Sequence, residues 1–464
     1  MQELHDLSAV ELNTLYAQGR LSPVEAARAV IAHIEAWEPK LRATYAFDPD
    51  AALVMAQASE RRWHAGQPLS ALDGVPAMIK ENIATRGVPV PLGTAATELA
   101  PATEDAPPAA RLREAGSVIL GKTTMPDYGM LTSALSSFHL LTRNPWDLSK
   151  NPGGSSAGAG AGAAAGYGPL HVGTDIGGSV RLPASYCGIF GLKPSLGRVP
   201  IKPPYPGRVA GPMTRSVRDA ALMMEVLSRP DARDHMSLPA QRIEWHSLER
   251  DLKGLRLGLL MDAGWGLAVD AEVSSAVLAA AQAFSAAGAI VEPLKPWSTR
   301  EMLEGIDAFW RMRSWLDMAA LPEERRAKVL PYIRAWAEGA ASLSGADVFR
   351  GYSQMLVLRE ASVAATQAYD YVLSPVSPIP AFAAELPGPT NDPARPLEHI
   401  AFTLPYNMSE QPAAAINCGY TAGGLPIGLQ IAGRRFDDLG VLQVAYAWEL
   451  MRPEQRPWPQ RPAA

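Results

Sequence analysis

Gly173-Thr-Asp-Ile-Gly-Gly-Ser179-Val-Arg-Leu-Pro183 is the stretch from which the rest of the chain is read. Two glycines before a serine free the backbone, so that several N–H groups can converge on one point. An oxyanion hole needs that arrangement: donors fixed where negative charge develops. A plain glycine turn joining two elements fits the same letters. Twenty residues upstream, Pro152-Gly-Gly-Ser155-Ser156-Ala-Gly-Ala-Gly-Ala-Gly162 sets two hydroxyls on a second such turn. The Ala/Gly run behind them suits a helix packed very closely on its neighbours, and a serine-capped helix start is the plainer reading. Further back, Gly74-Val-Pro-Ala-Met-Ile-Lys80-Glu-Asn82 ends an apolar run on a lysine. Lysines seldom close a buried strand, although a snorkelling lysine at a strand end would look the same.

Outward from these segments the pattern is α/β. From Leu72 to about Arg218, short apolar runs such as Val118 to Leu120 alternate with Gly/Pro/Ser-rich loops. Residues 1–70 read as helices. Ser22 caps one of them, with Pro23 in the first helical position and Glu25 closing a capping box. Arg229 to Lys253 reads as an irregular excursion. Strands are expected at Gly254–Met261, Ala289–Val291, Tyr371–Leu373 and Leu425–Gly433, and helices at Asp270–Ala287 and Asp437–Met451. The whole of 1–464 is read as a single domain, made of the helical region 1–70, a core of about 72–218, the excursion at about 229–253, and an α/β portion over 254–464.

Taken together, GVPAMIKENI, AGSVILGKTTMPDYG, TRNPWDLSKNPGGSSAG, VGTDIGGSVRLPASYCGIFGLKPS and GPMTRSVRDAA resemble the amidase signature family. Looser likeness continues through YDYVLSPVSPIPAF, FTLPYNMSEQPAAAINCG and GLPIGLQIAGRRFDD, so it covers nearly the whole chain. The resemblance implies a mixed central β-sheet covered by helices on both faces. It implies hydrolysis of a carboxylic amide to acid plus amine or ammonia by a Ser–cis-Ser–Lys set. Ser179 would be the acyl-forming nucleophile, Ser155 the middle serine on a cis bond from Gly154, and Lys80 the base. The N–H groups of Ile176, Gly177, Gly178 and Ser179 would form the oxyanion hole. Ser156, Asp175 and Arg181 would support them. The chemistry demands that Lys80 be neutral, because an ammonium cannot accept the serine proton. Two departures stand out. AGAGAGAAAG follows Ser156 where a second Gly-Gly-Ser is common, and Ser133 to Leu141 lacks the Phe-Gly or Tyr-Gly pair often found before TRNPW. The candidate pocket residues are Tyr128, Phe138 and His139 from the 133–141 segment, and Trp310 and Trp315 from the region between Phe309 and Trp315, together with the loop after Pro375.

Competing readings use the same letters. Gly154-Ser-Ser156-Ala-Gly158 fits a nucleophile elbow with Ser156 as nucleophile and His399 in the triad, but NPWDLSKNPG is no strand to lead into it. Gly160, Gly162 and Gly166 give a loose nucleotide-loop pattern without the Lys-Ser/Thr of a phosphate loop. Within the family, the alternative is the amide-hydrolysing subunit of a tRNA-dependent amidotransferase, which passes ammonia to a partner.

Composition sets the remaining expectations. The 464 residues carry 42 Lys plus Arg against 47 Asp plus Glu, a net charge of −5 that gives no reason to expect nucleic acid or an anionic membrane as partner. Only Cys187 and Cys418 are present, which excludes a disulfide framework and makes buried free thiols the expectation. MQELHDLSAVEL has no apolar signal core, so the reading is a cytoplasmic protein. No metal or organic cofactor is expected. A small-molecule amide is the expected substrate and a homodimer the expected assembly.

Overall fold

Neighbouring residues on a strand point to opposite faces of its sheet, and the central strands of this chain obey that rule with apolar side chains on both sides. Ala414, Ile416, Leu429, Ile431 and Leu373 enter one hydrophobic cluster, whereas Ala413, Ala415, Ala432 and Val372 enter another on the opposite face. A sheet with two apolar faces needs helices on both. In the computed structural model, which describes residues 3–461, helices cover both faces of one large mixed sheet.

The described residues supply eleven strands: β1 (Thr44–Tyr45), β2 (Pro76–Lys80), β3 (Val118–Thr123), β4 (Leu170–Asp175), β5 (Phe190–Lys193), β6 (Val209–Thr214), β7 (Arg256–Leu259), β8 (Ile290–Pro293), β9 (Tyr371–Pro375), β10 (Ala413–Tyr420) and β11 (Pro426–Gly433). Their order is β1-β3-β2-β4-β6-β5-β10-β11-β9-β7-β8. β2 runs parallel to both β3 and β4, and β7 runs parallel to β8 and β9. The middle, from β4 through β6, β5, β10 and β11 to β9, is antiparallel. The expected strands and helices all form, with ends within two residues or so. The region 1–70 is not purely helical, because Thr44–Tyr45 pairs antiparallel with β3 at the sheet edge. A two-residue strand carries no alternation for a sequence reading to detect. The capping box at Ser22 and Glu25 is present. The excursion 229–253 holds no helix or strand, yet it lays Trp245, Leu248 and Leu252 into the core.

The Ala/Gly run forms the helix Ala157–Ala165, buried along its whole length. Small residues let its backbone touch the chain around it. A Cβ on Gly158 would stand 2.5 Å from the Thr124 nitrogen and closer still to the Ala43 oxygen, and one on Gly160 would stand 2.9 Å from Pro183. This packing speaks against the nucleotide-loop reading: Gly160 and Gly162 lie inside the buried helix and Gly166 is its C-terminal cap, so the three glycines do not form a phosphate-cradling loop. Both cysteines are buried and free, as expected. No helix among the described residues is long and apolar enough to cross a membrane.

Gly158→Ala is therefore expected to lower stability by roughly 1–3 kcal/mol or more, since nothing in a packed backbone contact can yield cheaply. Gly345→Ala, in open space at the start of the helix Gly345–Thr366, is expected to be neutral or stabilising by up to about 1 kcal/mol. Thermal unfolding of the two variants checks the contrast.

Candidate active site

β2 and β4 are parallel neighbours, so both end at the same edge of the sheet. In open α/β sheets, ligands bind in the crevice outside such strand ends. Lys80 is the last residue of β2 and Asp175 the last of β4. A cleft of about 470 Å³ opens there, lined among others by Asn82, Tyr128, Ser155, Thr174, Ile176 and Ser179.

Lys80 is fully buried, and its Nζ donates to Ser155 Oγ at 2.8 Å and to the Thr174 carbonyl at 3.5 Å. No carboxylate comes within ion-pair distance of it among the described residues. Burial first, and the charge of Arg208 second, hold its pKa well below the usual lysine range against the opposing pull of Asp175 and Glu81. Glu81, the next residue, turns away and accepts from the N–H groups of Leu92 (2.8 Å) and Gly93 (2.6 Å).

Ser155 follows a cis peptide bond from Gly154. Position 154 has room only for glycine, because a Cβ would lie 2.6 Å from the carbonyl oxygens of both Leu131 and Ser133. The hydroxyl of Ser156 donates to the Thr174 carbonyl (3.2 Å) and accepts from the Thr174 N–H (3.3 Å), and the Ser156 N–H donates to the Ser179 carbonyl (3.2 Å). Ser156 thus ties the turn carrying Ser155 to the loop carrying Ser179. It is fully buried and already paired, while His399 bonds to Thr132. The elbow-and-triad reading of Ser156 and His399 fails on that geometry.

Ser179 is half-buried and faces the cleft. Its hydroxyl makes no hydrogen bond among the described residues, to Ser155 included. Hydrogen bonds of this kind often tighten only when a ligand is bound. The loop before it is shaped by Asp175, which accepts from the N–H groups of Gly178 (2.8 Å) and Val180 (3.1 Å). Of the four N–H groups expected to form an oxyanion hole, that of Gly178 donates to Asp175, and those of Ile176, Gly177 and Ser179 make no hydrogen bond among the described residues.

Arg181 clasps Asp175 through Nε (3.0 Å) and Nη2 (2.9 Å), both side chains fully buried. It also donates to the Thr403 carbonyl (2.9 Å), Gln430 (2.8 Å) and Asn407 (2.5 Å). Burial alone would raise the Asp175 carboxyl. Arg181 and the Asn407 amide outweigh it and hold the carboxyl below the usual range.

The candidate pocket residues divide. Tyr128 lines the cleft, with a left-handed φ of 52° and an N–H that donates to the Leu92 carbonyl (2.7 Å). Phe138 and His139 do not. They pack around Tyr45 at ring separations of 5.7 and 5.2 Å, and His139 Nε2 meets Glu81 at 3.1 Å. The segment is drawn off by Asp127, which binds Ser137. Trp310 is buried beneath Gly177, and Trp315 packs half-buried on the core. The loop after Pro375 is absent from the lining. On the helix Arg300–Ala319 it is Arg313, Ser314 and Asp317 that reach the cleft. Lys202, Tyr205 and Arg208 approach from the Pro-rich connection before β6. Arg313 and Ser314 fall within the expected region from Phe309 to Trp315, whereas Asp317, Lys202, Tyr205 and Arg208 lie outside every segment the sequence singled out. No cluster of three or more His, Cys, Asp or Glu able to hold a metal occurs among the described residues.

Sheet, buried lysine and glycine-shaped serine loop define an α/β hydrolytic enzyme. The amidase family model matches residues 25–442. The chain is 36% identical over 482 residues to the A subunit of the glutamyl-tRNA(Gln) amidotransferase of Myxococcus xanthus, covering 96% of this chain and 97% of that protein. It is also 36% identical over 467 residues to an acylamidase of Rhodococcus erythropolis, covering 97% of each. A crystal structure of a bacterial aryl acylamidase superposes with a TM-score of 0.90 at 31% identity, covering 97% of each chain. The chain belongs to the amidase signature family and is an amide hydrolase.

Asp175→Asn leaves the Arg181 charge buried and unpaired, so it is expected to cost about 3–5 kcal/mol. The Asp175 pKa is depressed in the folded state. Its contribution is therefore fully present above the unfolded carboxylate range and is lost only as pH falls through the lower folded value. Chemical unfolding at pH 7 and at successively more acid pH measures both effects. A variant as stable as the parent at pH 7 would contradict the assignment.

Proposed function

We propose that the chain hydrolyses a carboxylic amide through an acyl-enzyme on Ser179, with Ser155 and Lys80 as the proton relay. The observation that carries this is a buried lysine, stripped of carboxylate partners, bonded at 2.8 Å to a serine that shares the cleft with Ser179. A serine hydroxyl attacks only as its proton is taken. Neutral Lys80 takes the Ser155 proton, Ser155 takes that of Ser179, and the Ser179 oxygen bonds to the amide carbon. The N–H groups of Ile176, Gly177 and Ser179 receive the oxyanion. The proton returns along the relay to the nitrogen as the C–N bond breaks, and amine or ammonia leaves. Water, deprotonated by the same relay, then attacks the ester and releases the acid. Asp175, Arg181 and Ser156 hold the two serine loops in place.

The relatives favour a second, narrower reading more than a free-standing amidase. Glutamyl-tRNA(Gln) amidotransferase A subunits recur among them at 31–36% identity over nearly the whole chain. In this reading the same site splits a glutamine side-chain amide and passes ammonia to a partner protein. The acylamidase relatives support the first reading. Assaying the purified chain alone separates them. Robust turnover of simple amides fits a free-standing amidase. Turnover of glutamine that appears only on adding amidotransferase partner subunits fits the second.

Under either reading, a fluorophosphonate is expected to modify Ser179 and not Ser179→Ala, and that variant should lose on the order of 10³-fold or more in kcat. Lys80 must be neutral to act. Accordingly kcat/KM should fall as pH drops through its lowered pKa, on a limb below the usual lysine range. Lys80→Ala should remove most activity and that limb with it. Near-normal rates in Lys80→Ala at neutral pH would rule out the relay.

A further inference from the structure

Several of the more deeply placed arginines meet carboxylates: Arg181 meets Asp175 at 2.9 Å, Arg198 meets Asp438 at 3.0 Å, and Arg215 meets Asp6 at 2.6 Å. Arg208 and Arg313, both half-buried, do not. Both line the cleft that holds Ser155 and Ser179. Neither has a carboxylate within ion-pair distance among the described residues. Arg208 donates to the Pro203 carbonyl at 2.9 Å and makes no other hydrogen bond there. Arg313 lies over the ring of Tyr205, 4.8 Å from its centroid, and its Nη2 points at the sulfur of Met130 at 3.4 Å.

A simple partner was within reach. Asp317 stands four residues after Arg313 on the same helix, the spacing at which such pairs form, and it borders the same cleft. No ion pair forms, because the Arg313 side chain turns inward instead. Half-buried cations without counter-ions give the cleft a positive potential that favours an arriving anion. Burial, then the charge of Arg313, pull the Arg208 guanidinium down to about 10, so it is still charged at neutral pH. Guanidinium groups are the side chains best shaped for carboxylates.

We infer that the substrate is an amide bearing a carboxylate, and that Arg208 and Arg313 bind that carboxylate while Ser179 faces the amide. This inference rests on the amide-hydrolysis reading of the same site and narrows its substrate class.

The test compares matched amides that differ only in charge. Succinamic and glutaramic acids, as primary amides and as anilides, are paired with the methyl ketones of the same length. N-acetyl-4-aminobenzoate, paired with N-acetyl-4-aminoacetophenone, places the carboxylate on the amine side. Release of ammonia, aniline or arylamine is followed on the pH plateau of each protein. At least one carboxylate member is expected to exceed its ketone by tenfold or more in kcat/KM, mainly through KM. Arg208→Gln and Arg313→Gln should each cut that ratio by tenfold or more, and Arg208→Lys should retain more of it than Arg208→Gln does. Added salt should erode the ratio and leave the ketone rates nearly constant. Hydrolysis of ketone members with no carboxylate preference in any pair would overturn the anionic class while leaving the amidase reading intact. Hydrolysis of no member of any pair, by the chain alone or with amidotransferase partner subunits, would overturn both. If a glutamine variant fails to fold, the wild-type ratio and its salt dependence still decide the matter.

Discussion

The buried clasp between Asp175 and Arg181 is the constraint on which the site depends. It is two fully buried charges in bidentate contact, an arrangement that is unfavourable unless every remaining donor and acceptor is satisfied. Here they are. Asp175 takes the N–H groups of Gly178 and Val180, which winds the chain into the loop that presents Ser179. Arg181 spends its other donors on Thr403, Asn407 and Gln430. One ion pair therefore fixes the shape of the serine loop and fastens the strand-end core to elements more than two hundred residues later in the chain. The same bond occupies the Gly178 N–H, while those of Ile176, Gly177 and Ser179 make no hydrogen bond among the described residues.

A second constraint is distance between backbones. Burial is the chief cause that lowers the Lys80 pKa. The fully buried helix Ala157–Ala165 packs at backbone distance through its small residues, with Gly158 against the Ala43 oxygen and the Thr124 nitrogen and Gly160 against Pro183. The glycine at 154 has the same origin, since two carbonyl oxygens occupy the space where a Cβ would sit. Small residues here set how closely the two serine-bearing segments and their surroundings can approach one another.

These two facts explain how much was legible beforehand. The serine loop, the Gly-Gly-Ser turn and Lys80 stand in contiguous motifs whose letters carry their own chemistry. The α/β alternation was readable because strands buried on both faces read as short continuous apolar runs set between Gly/Pro/Ser-rich loops. The edge strand Thr44–Tyr45 was not, being too short to show a period. The pocket was the weakest part. Aromatic residues were natural candidates, yet Phe138 and His139 are claimed by Tyr45 and Glu81, and Trp310 supports the glycine loop from below. What lines the cleft was decided by which face of the helix Arg300–Ala319 turned inward and by the path of the Pro-rich connection through Lys202 and Arg208. Neither is a property of local sequence.

The cleft arginines and the lysine interact in a way that gives two guanidinium groups a reason to be present together. A cation near Lys80 helps keep it unprotonated, and Arg208 is that cation. A substrate carboxylate bound to a lone Arg208 would cancel its field and let the lysine pick up a proton just when it must act as a base. With Arg313 beside it, one carboxylate leaves the pair with a net positive charge, and Asp317, exposed at the edge, is screened by solvent. Under the proposed relay and substrate class, the lysine would then keep its lowered pKa through the binding step. Recognition of an anion and activation of the nucleophile make opposite demands on the electrostatics of one small cleft, and a second arginine is the least change that satisfies both.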